Sequence, residues 1–472
     1  MEDGRDAADD RPAVSDESLC FDSARGIARR IRTREISARE VMAAFLDRIV
    51  RCNPTLNAIV ARREDEACLA LADEADRAVA SGAASGALHG LPIAFKDLEP
   101  ATGFPWTRGC PFLRDAYPAD DSILVQRLKH AGAVPIGKTN VPQFGMGSHT
   151  YNEVYGTTRN PYDVTKSAGG SSGGAAAAIA AGLLPIADGS DFGGSLRNPA
   201  NFTNIVGFRP SFGLVPDAPN PLPSLGFGVK GPMARSVDDV SFLLAVMTGR
   251  YAESDLARDL AGVRVAWSPD LDGLPLDRRV RRVLDGQRRT FEDLGCRVEE
   301  ACPDFSGVDD FFLTIRAARS WQTLAPLLAG HRDEIKPEAV AEIEAGSRVT
   351  AAQLAEAIDR HEAFLDQMRR FHERFEFLIC AVNQVPPFDA SIDWPHDIDG
   401  VRMEHYIAWM KSAYWISATF DPAISVPAGF TADGLPVGVQ IAGRRGDDRG
   451  VLQLAYAFEQ ATGCGRRRPP LA

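Results

Sequence analysis

The stretch from Gly169 to Arg197, GGSSGGAAAAIAAGLLPIADGSDFGGSLR, constrains the fold more than any other part of the chain. Most of its side chains are small, so whatever it builds must sit close against its neighbours. The alanines up to Gly182 favour helix. Ser171 and Ser172 stand just before them, where a serine is a good N-cap and helix N–H groups point outward. LLPIA reads as a strand. In the loop that follows, Gly189 to Ser195, paired glycines permit unusual backbone angles, so several N–H groups can converge on one point. A serine ending such a loop can attack a carbonyl while those N–H groups hold the oxyanion.

The rest of the chain supplies alternating elements. Ile27 and Ile31, then Val41, Ala44, Phe45 and Ile49, fall at helix spacing, and Ser37 with Glu40 forms a capping box. Leu91 to Phe95 is an apolar strand that runs into Lys96. From Ser122 a helix, a Gly132 stop and a strand follow. Further strands are expected at 263–267, 296–299, 423–427 and 437–441, and helices at 279–294, through most of 308–375, and at 446–461. Alternation of this kind indicates an α/β fold in a single domain. Residues 1–17, acidic and without core residues, read as a solvated tail.

Composition narrows the function classes. A net charge of −12 disfavours nucleic acid or an anionic membrane as the main partner. No long apolar run suggests a membrane span or a signal peptide. The eight cysteines are scattered and form no C-x-x-C pair, which argues against a zinc site of the usual spacing and for a reducing, cytoplasmic setting. Cys110 and Cys302 read as buried thiols.

Two motifs fail on context. Gly132 to Thr139 matches the G-x-x-x-x-G-K-[ST] phosphate loop, but a helix precedes it and an apolar strand fills it, the reverse of what that loop needs. Gly169-Gly-Ser171-Ser-Gly173 matches the G-x-S-x-G nucleophile elbow, but a loop precedes it. The later histidines, His331, His361, His372, His396 and His405, lie mostly in charged stretches that read as solvated surface.

The unit GGSSGG followed by GSDFGGSLRNPA resembles the signature of the amidase signature family. Supporting matches include Gly90-Leu-Pro-Ile-Ala-Phe-Lys96-Asp97, Arg159-Asn-Pro-Tyr, Gly207-Phe-Arg-Pro, Gly231-Pro-Met-Ala-Arg and Pro422-Ala-Ile-Ser-Val-Pro-Ala-Gly. The resemblance runs from about residue 20 to 463. It implies a central mixed β-sheet covered by helices on both sides, within a domain spanning 18–466, and it calls for no cofactor or metal. It implies Ser195 as nucleophile, Ser171 as a bridging serine after a cis peptide bond, Lys96 as base and Ser172 in support. The oxyanion donors it implies are the backbone N–H groups of Phe192, Gly193, Gly194 and Ser195. By analogy Gly145, Met146 and Gly147 contact substrate, although the residues alone read as a turn. Asp191 and Arg197 flank the loop and are expected to pair, with an anionic substrate as the other partner for Arg197.

The chemistry is coherent. A serine hydroxyl needs a base, and burial would make a neutral Lys96 amine accessible. The implied activity is hydrolysis of a small-molecule carboxamide to an acid and ammonia or an amine through an acyl-serine. The alternatives are the amidase subunit of a glutamine-dependent tRNA amidotransferase and a non-catalytic scaffold. A homodimer is compatible with this reading. The chain departs from the family at Gln143, where several members carry Glu, at Phe192, and at Thr419-Phe-Asp421. Residues 308–410, which shape the acyl pocket in the family, match least. The aromatic ring at Phe192 is expected to narrow the site or favour an apolar acyl part.

Overall fold

The structure, a computed structural model, describes residues 17–83, 86–217, 226–249 and 255–471. An eight-stranded sheet lies at the centre. Its order is Arg297–Glu300, Arg264–Trp267, Phe377–Ala381, Pro436–Gly443, Ala423–Phe430, Val206–Arg209, Val229–Ala234 and Ile186–Asp191. The first three strands are parallel and the remaining pairings are antiparallel, so the sheet is mixed.

The strands are apolar on both faces because both faces are covered. Along Phe377–Ala381, Phe377, Ile379 and Ala381 enter one core, while Leu378 and Cys380 enter another. The first core contains Val240 and Leu243 of the helix Val237–Thr248, and Val451 and Leu454 of Asp448–Thr462. The second contains Phe312 and Ile315 of Val308–His331, and Tyr414 and Ile416 of Lys411–Ala418. Among the described residues no helix is long and apolar enough to cross a membrane.

Lys96 does not lie in this sheet. Its strand, Pro92–Lys96, is buried throughout and joins Val134–Thr139 and Ile59–Val60 in a separate three-stranded sheet. The helix Gly173–Ala180 packs against both sheets, with every residue buried. Its glycines permit the approach: a Cβ at Gly174 would lie 2.2 Å from the Asn140 nitrogen and 2.6 Å from the Ala58 oxygen. The small-residue composition is therefore the condition for bringing the Lys96 strand to the edge of the main sheet.

Several expectations shift. LLPIA is not itself the strand: the ladder begins at Ile186 and continues to Asp191, so the Gly189–Asp191 segment is extended rather than looped. The 279–294 helix is two helices, Arg278–Asp285 and Arg288–Asp293, interrupted at Gly286-Gln287. Residues 1–16 lie outside the described residues. Glu17, counted above with the tail, opens the turn Glu17–Phe21 and pairs with Arg48 at 3.5 Å and with Arg51.

The histidine reading needs a larger correction. His361 and His372 are buried, because they fall on the inner stripe Ala357, His361, Phe364, Met368, His372 of the helix Ala351–Arg374. His361 donates to the Ala418 carbonyl at 2.8 Å, and His372 bridges the Phe375 carbonyl and the Asp421 carboxylate.

Gly174→Ala should destabilise the protein by about 1–3 kcal/mol, since the new methyl meets backbone that cannot rotate away. A thermal unfolding midpoint equal to that of the unmodified protein would contradict this packing.

Candidate active site

The strand Pro92–Lys96 delivers the Lys96 side chain, fully buried, into a cluster of serines. Its Nζ lies 2.8 Å from Ser171 Oγ, 2.8 Å from Ser172 Oγ, 2.9 Å from Ser190 Oγ and 3.3 Å from the Ser190 carbonyl. Ser190, which sequence reasoning passed over, is thus an equal member of the cluster. It was legible as the hydroxyl residue before Asp191 in the loop motif.

The peptide bond Gly170–Ser171 is cis. Ser172 occupies the N-cap position of Gly173–Ala180 but does not cap it. Its hydroxyl turns to Lys96 instead, and the helix end is satisfied from outside: Gly173 N–H donates to Thr150 Oγ1 and Gly174 N–H to the Asn140 carbonyl, each at 3.2 Å. This frees the serines from the capping role that their position suggests.

The Lys96 amine is held down to about 7. Burial is the main cause, and the nearby Lys230 charge adds to it. Asp188, Glu99 and Asp191 pull the other way but are too weak to restore an ordinary lysine. Asp188 bridges the two sheets, its carboxylate accepting the Lys96 backbone N–H at 3.2 Å. Burial, reinforced by the Glu99 charge, pushes Asp188 up to about 7.

Ser195 follows the glycine pair and is slightly exposed, at 8%, against 2% for Ser171. Its carbonyl accepts the Ser172 N–H at 3.3 Å, which ties the two serine segments together. Asn198 adds a second tie: its Oδ1 accepts the Gly170 N–H at 3.0 Å and its own N–H donates to the Gly194 carbonyl at 2.7 Å.

Of the four expected oxyanion donors, one is removed. The Gly194 N–H donates to Asp191 Oδ1 at 2.8 Å and points into the loop's own interior. The N–H groups of Phe192, Gly193 and Ser195 have no acceptor among the described residues. The Phe192 ring is half-buried and meets Phe227 and Phe312 edge-on, at 5.6 and 5.8 Å, forming one wall beside the loop.

Asp191 organises this loop. Its carboxylate accepts from Gly194 and Leu196 N–H groups and from Arg197 and Arg209. Burial opposes its charge, but the two guanidinium groups outweigh that and hold the carboxyl well below the usual range. Arg197 makes a bidentate pair with Asp191 and also donates to the Ala413 carbonyl, Gln440 and Ser417. All five of its N–H groups have partners, so it fixes the loop and has no donor left for a substrate.

Of Gly145, Met146 and Gly147, Gly145 lies against the serine cluster, Met146 packs with Ile335 and Ile343, and Gly147 lies against Lys336. Gln143–Gly145 is a 3-10 turn, and a Cβ on Gly145 would lie 3.4 Å from Ser171 Oγ. Gly132 to Thr139 is the expected helix–turn–strand unit, with Lys138 buried and donating to the Glu99 carbonyl at 2.6 Å. Cys110 is buried as expected. Cys302 is only half-buried, because it lies past the end of the strand Arg297–Glu300 on a surface groove.

The chain matches the family described as amidase over residues 40–452. It is 32% identical to an acylamidase of Rhodococcus erythropolis, across 97% of this chain and 98% of that one. It is 31% identical to a glutamyl-tRNA(Gln) amidotransferase subunit of a Cyanothece species, across 95% and 100%. Its fold superposes on a bacterial aryl acylamidase of the amidase signature enzymes with a TM-score of 0.86 and 29% identity, covering 94% and 97% of the two chains.

Asp191→Asn should cost about 3–5 kcal/mol, because Arg197 and Arg209 remain buried without a counter-charge. The sign of the pH effect follows from the depressed carboxyl. Its contribution is complete above the unfolded value near ~4 and is lost as pH falls towards the folded value. Denaturant unfolding should therefore show a large deficit for the variant at pH 7 that narrows towards pH 3. Equal midpoints at pH 7 would contradict the role given to Asp191.

Proposed function

We propose that this chain, which belongs to the amidase family, works through an acyl-enzyme formed on Ser195. It hydrolyses the C–N bond of an amide. The observation that carries the proposed mechanism is the Lys96 nitrogen, 2.8 Å from Ser171 Oγ in a buried cluster of hydroxyls and held to about 7. A neutral amine has two N–H donors and one lone pair. The donors suit Ser172 and Ser190, and the lone pair faces the Ser171 hydroxyl.

In the first step Ser195 Oγ attacks the amide carbon. Its proton passes to Ser171 Oγ while the Ser171 proton moves to Lys96, and the oxyanion is held by the Phe192, Gly193 and Ser195 N–H groups. The relay then reverses. Ser171 protonates the leaving nitrogen, which is needed because an amide anion is a very poor leaving group. Water uses the same relay to release the acid and free Ser195. Ser172 and Ser190 keep the amine oriented, and Asp191 with Arg197 keeps the loop in place.

The similarity to an amidotransferase subunit supports a second reading, in which glutamine is the amide and a partner uses the ammonia. The net charge of −12 weighs against direct tRNA contact. The eight cysteines, none of them in a disulfide among the described residues, suit a reducing, cytoplasmic setting.

kcat/KM for an acyl anilide should rise about tenfold per pH unit below pH 7 and level off above it, because only the neutral Lys96 accepts the proton. A flat profile between pH 5 and 9 would contradict the base assignment. Ser171→Ala should lose on the order of 10²-fold or more in kcat while still binding substrate. Activity within threefold of the unmodified enzyme would remove Ser171 from the relay. Phe192→Ala should broaden the acyl groups accepted, checked by kcat/KM across straight-chain and aryl acyl anilides. An unchanged profile would take Phe192 out of the pocket wall.

A further inference from the structure

A chain of side chains leaves the serine cluster on one side and returns to it on the other. It starts at Gly145, which abuts Ser171. Two residues along, at most about 7 Å of backbone, a Cβ on Gly147 would lie 3.0 Å from Lys336 Nζ. Lys336 Nζ lies 5.8 and 5.7 Å from the ring centres of Tyr151 and Tyr406. The Tyr406 hydroxyl accepts from Arg316 at 2.6 Å, and the Arg316 guanidinium stands 5.6 Å from the ring of Phe192, three residues before Ser195. Two cations therefore stand near the serine cluster, Lys336 along the Gly145–Gly147 segment and Arg316 against Phe192.

The two cations are not equivalent. Arg316 is paired with Glu342 at 2.9 Å, and that carboxylate also accepts from Ser320 and Tyr406. Lys336 donates to the Met146 carbonyl, and among the described residues no carboxylate lies within ion-pair distance of it. Glu338, Glu342 and Asp393 act on it only from farther away.

Its place is also built. Gln143 accepts the Lys336 backbone N–H at 2.8 Å and donates to the Glu334 carbonyl at 2.9 Å. An ionised carboxylate at 143 has no N–H and could not make the second bond. A half-buried ammonium with one carbonyl and two aromatic faces for partners is incompletely satisfied. A carboxylate would complete it with a charge-assisted hydrogen bond. In a chain of net charge −12, such a local cation is also what an anionic substrate requires.

We propose that Lys336 recognises a carboxylate on the amine half of the substrate, so that the preferred amides are N-acyl derivatives of amino acids whose acid group lies several bonds from the scissile nitrogen. The assignment to the amine half rests on the mechanism proposed above. Ser171 delivers the proton to the leaving nitrogen, so the segment that begins at Ser171 receives that side of the substrate. Gly145, against Ser171, and Gly147, against Lys336, stand two backbone steps apart, up to about 7 Å, a separation that suits an aminobenzoate or a short ω-amino acid better than an α-amino acid.

The test compares N-butanoyl-4-aminobenzoate with its methyl ester, in the unmodified enzyme and in Lys336→Met and Lys336→Arg. A third arm carries the acid on the acyl side, as the 4-methylanilide of succinic acid against its methyl ester. The unmodified enzyme should prefer the aminobenzoate acid over its ester by about tenfold or more in kcat/KM, mainly through KM. The preference should fall to about one in Lys336→Met and persist in Lys336→Arg. A ratio measured on one sample is independent of how much of a variant folds. An acid-to-ester ratio near one in the unmodified enzyme overturns the inference while leaving the amidase reading standing. So does a ratio unchanged in Lys336→Met, or a preference found only on the acyl side. Absence of hydrolysis in every arm overturns the amidase reading itself, and the inference with it.

Discussion

A lysine buried among hydroxyls, with no carboxylate as direct partner of its amine among the described residues, is the constraint on which the rest of the structure depends. Lys96 is fully buried, and its nitrogen meets Ser171, Ser172 and Ser190. A fixed ammonium in such a place would be costly, so the neutral form becomes accessible near physiological pH. Each neighbouring feature serves this arrangement. The glycine-edged helix lets the two sheets approach, Asp188 joins them at the Lys96 backbone, and Thr150 with Asn140 satisfies the helix end that the serines leave uncapped.

A second buried charge centre works by the opposite logic. Asp191 is kept ionised because two guanidinium groups and two backbone N–H groups converge on it. The pair of centres separates tasks. In the proposed mechanism Lys96 changes protonation, while Asp191 keeps the charge that holds the Ser195 loop.

Much of this was legible in the chain. The α/β alternation, the capping box at Ser37, and the small-residue unit before Ser195 follow from spacing and residue type. Local rules failed where tertiary contacts outbid them. Ser172 looks like a helix cap, but an amine from a distant strand attracts its hydroxyl. The family resemblance implies Gly194 as an oxyanion donor, but the local Asp191 carboxylate, three residues earlier, accepts its N–H. His361 and His372 look solvated among charged neighbours, yet their spacing places them on a buried stripe. Asn198 and Lys336 became visible only when distant segments were brought together.

The central claim is that Ser195 is a nucleophile whose activation depends on Lys96. Mass-spectrometric mapping of the protein after exposure to a fluorophosphonate tests it most directly. The account predicts one covalent phosphonyl adduct, on Ser195, formed rapidly in the unmodified protein and at least a hundredfold more slowly in Lys96→Met. An adduct on another residue, or one on Ser195 that forms equally fast without Lys96, would contradict it.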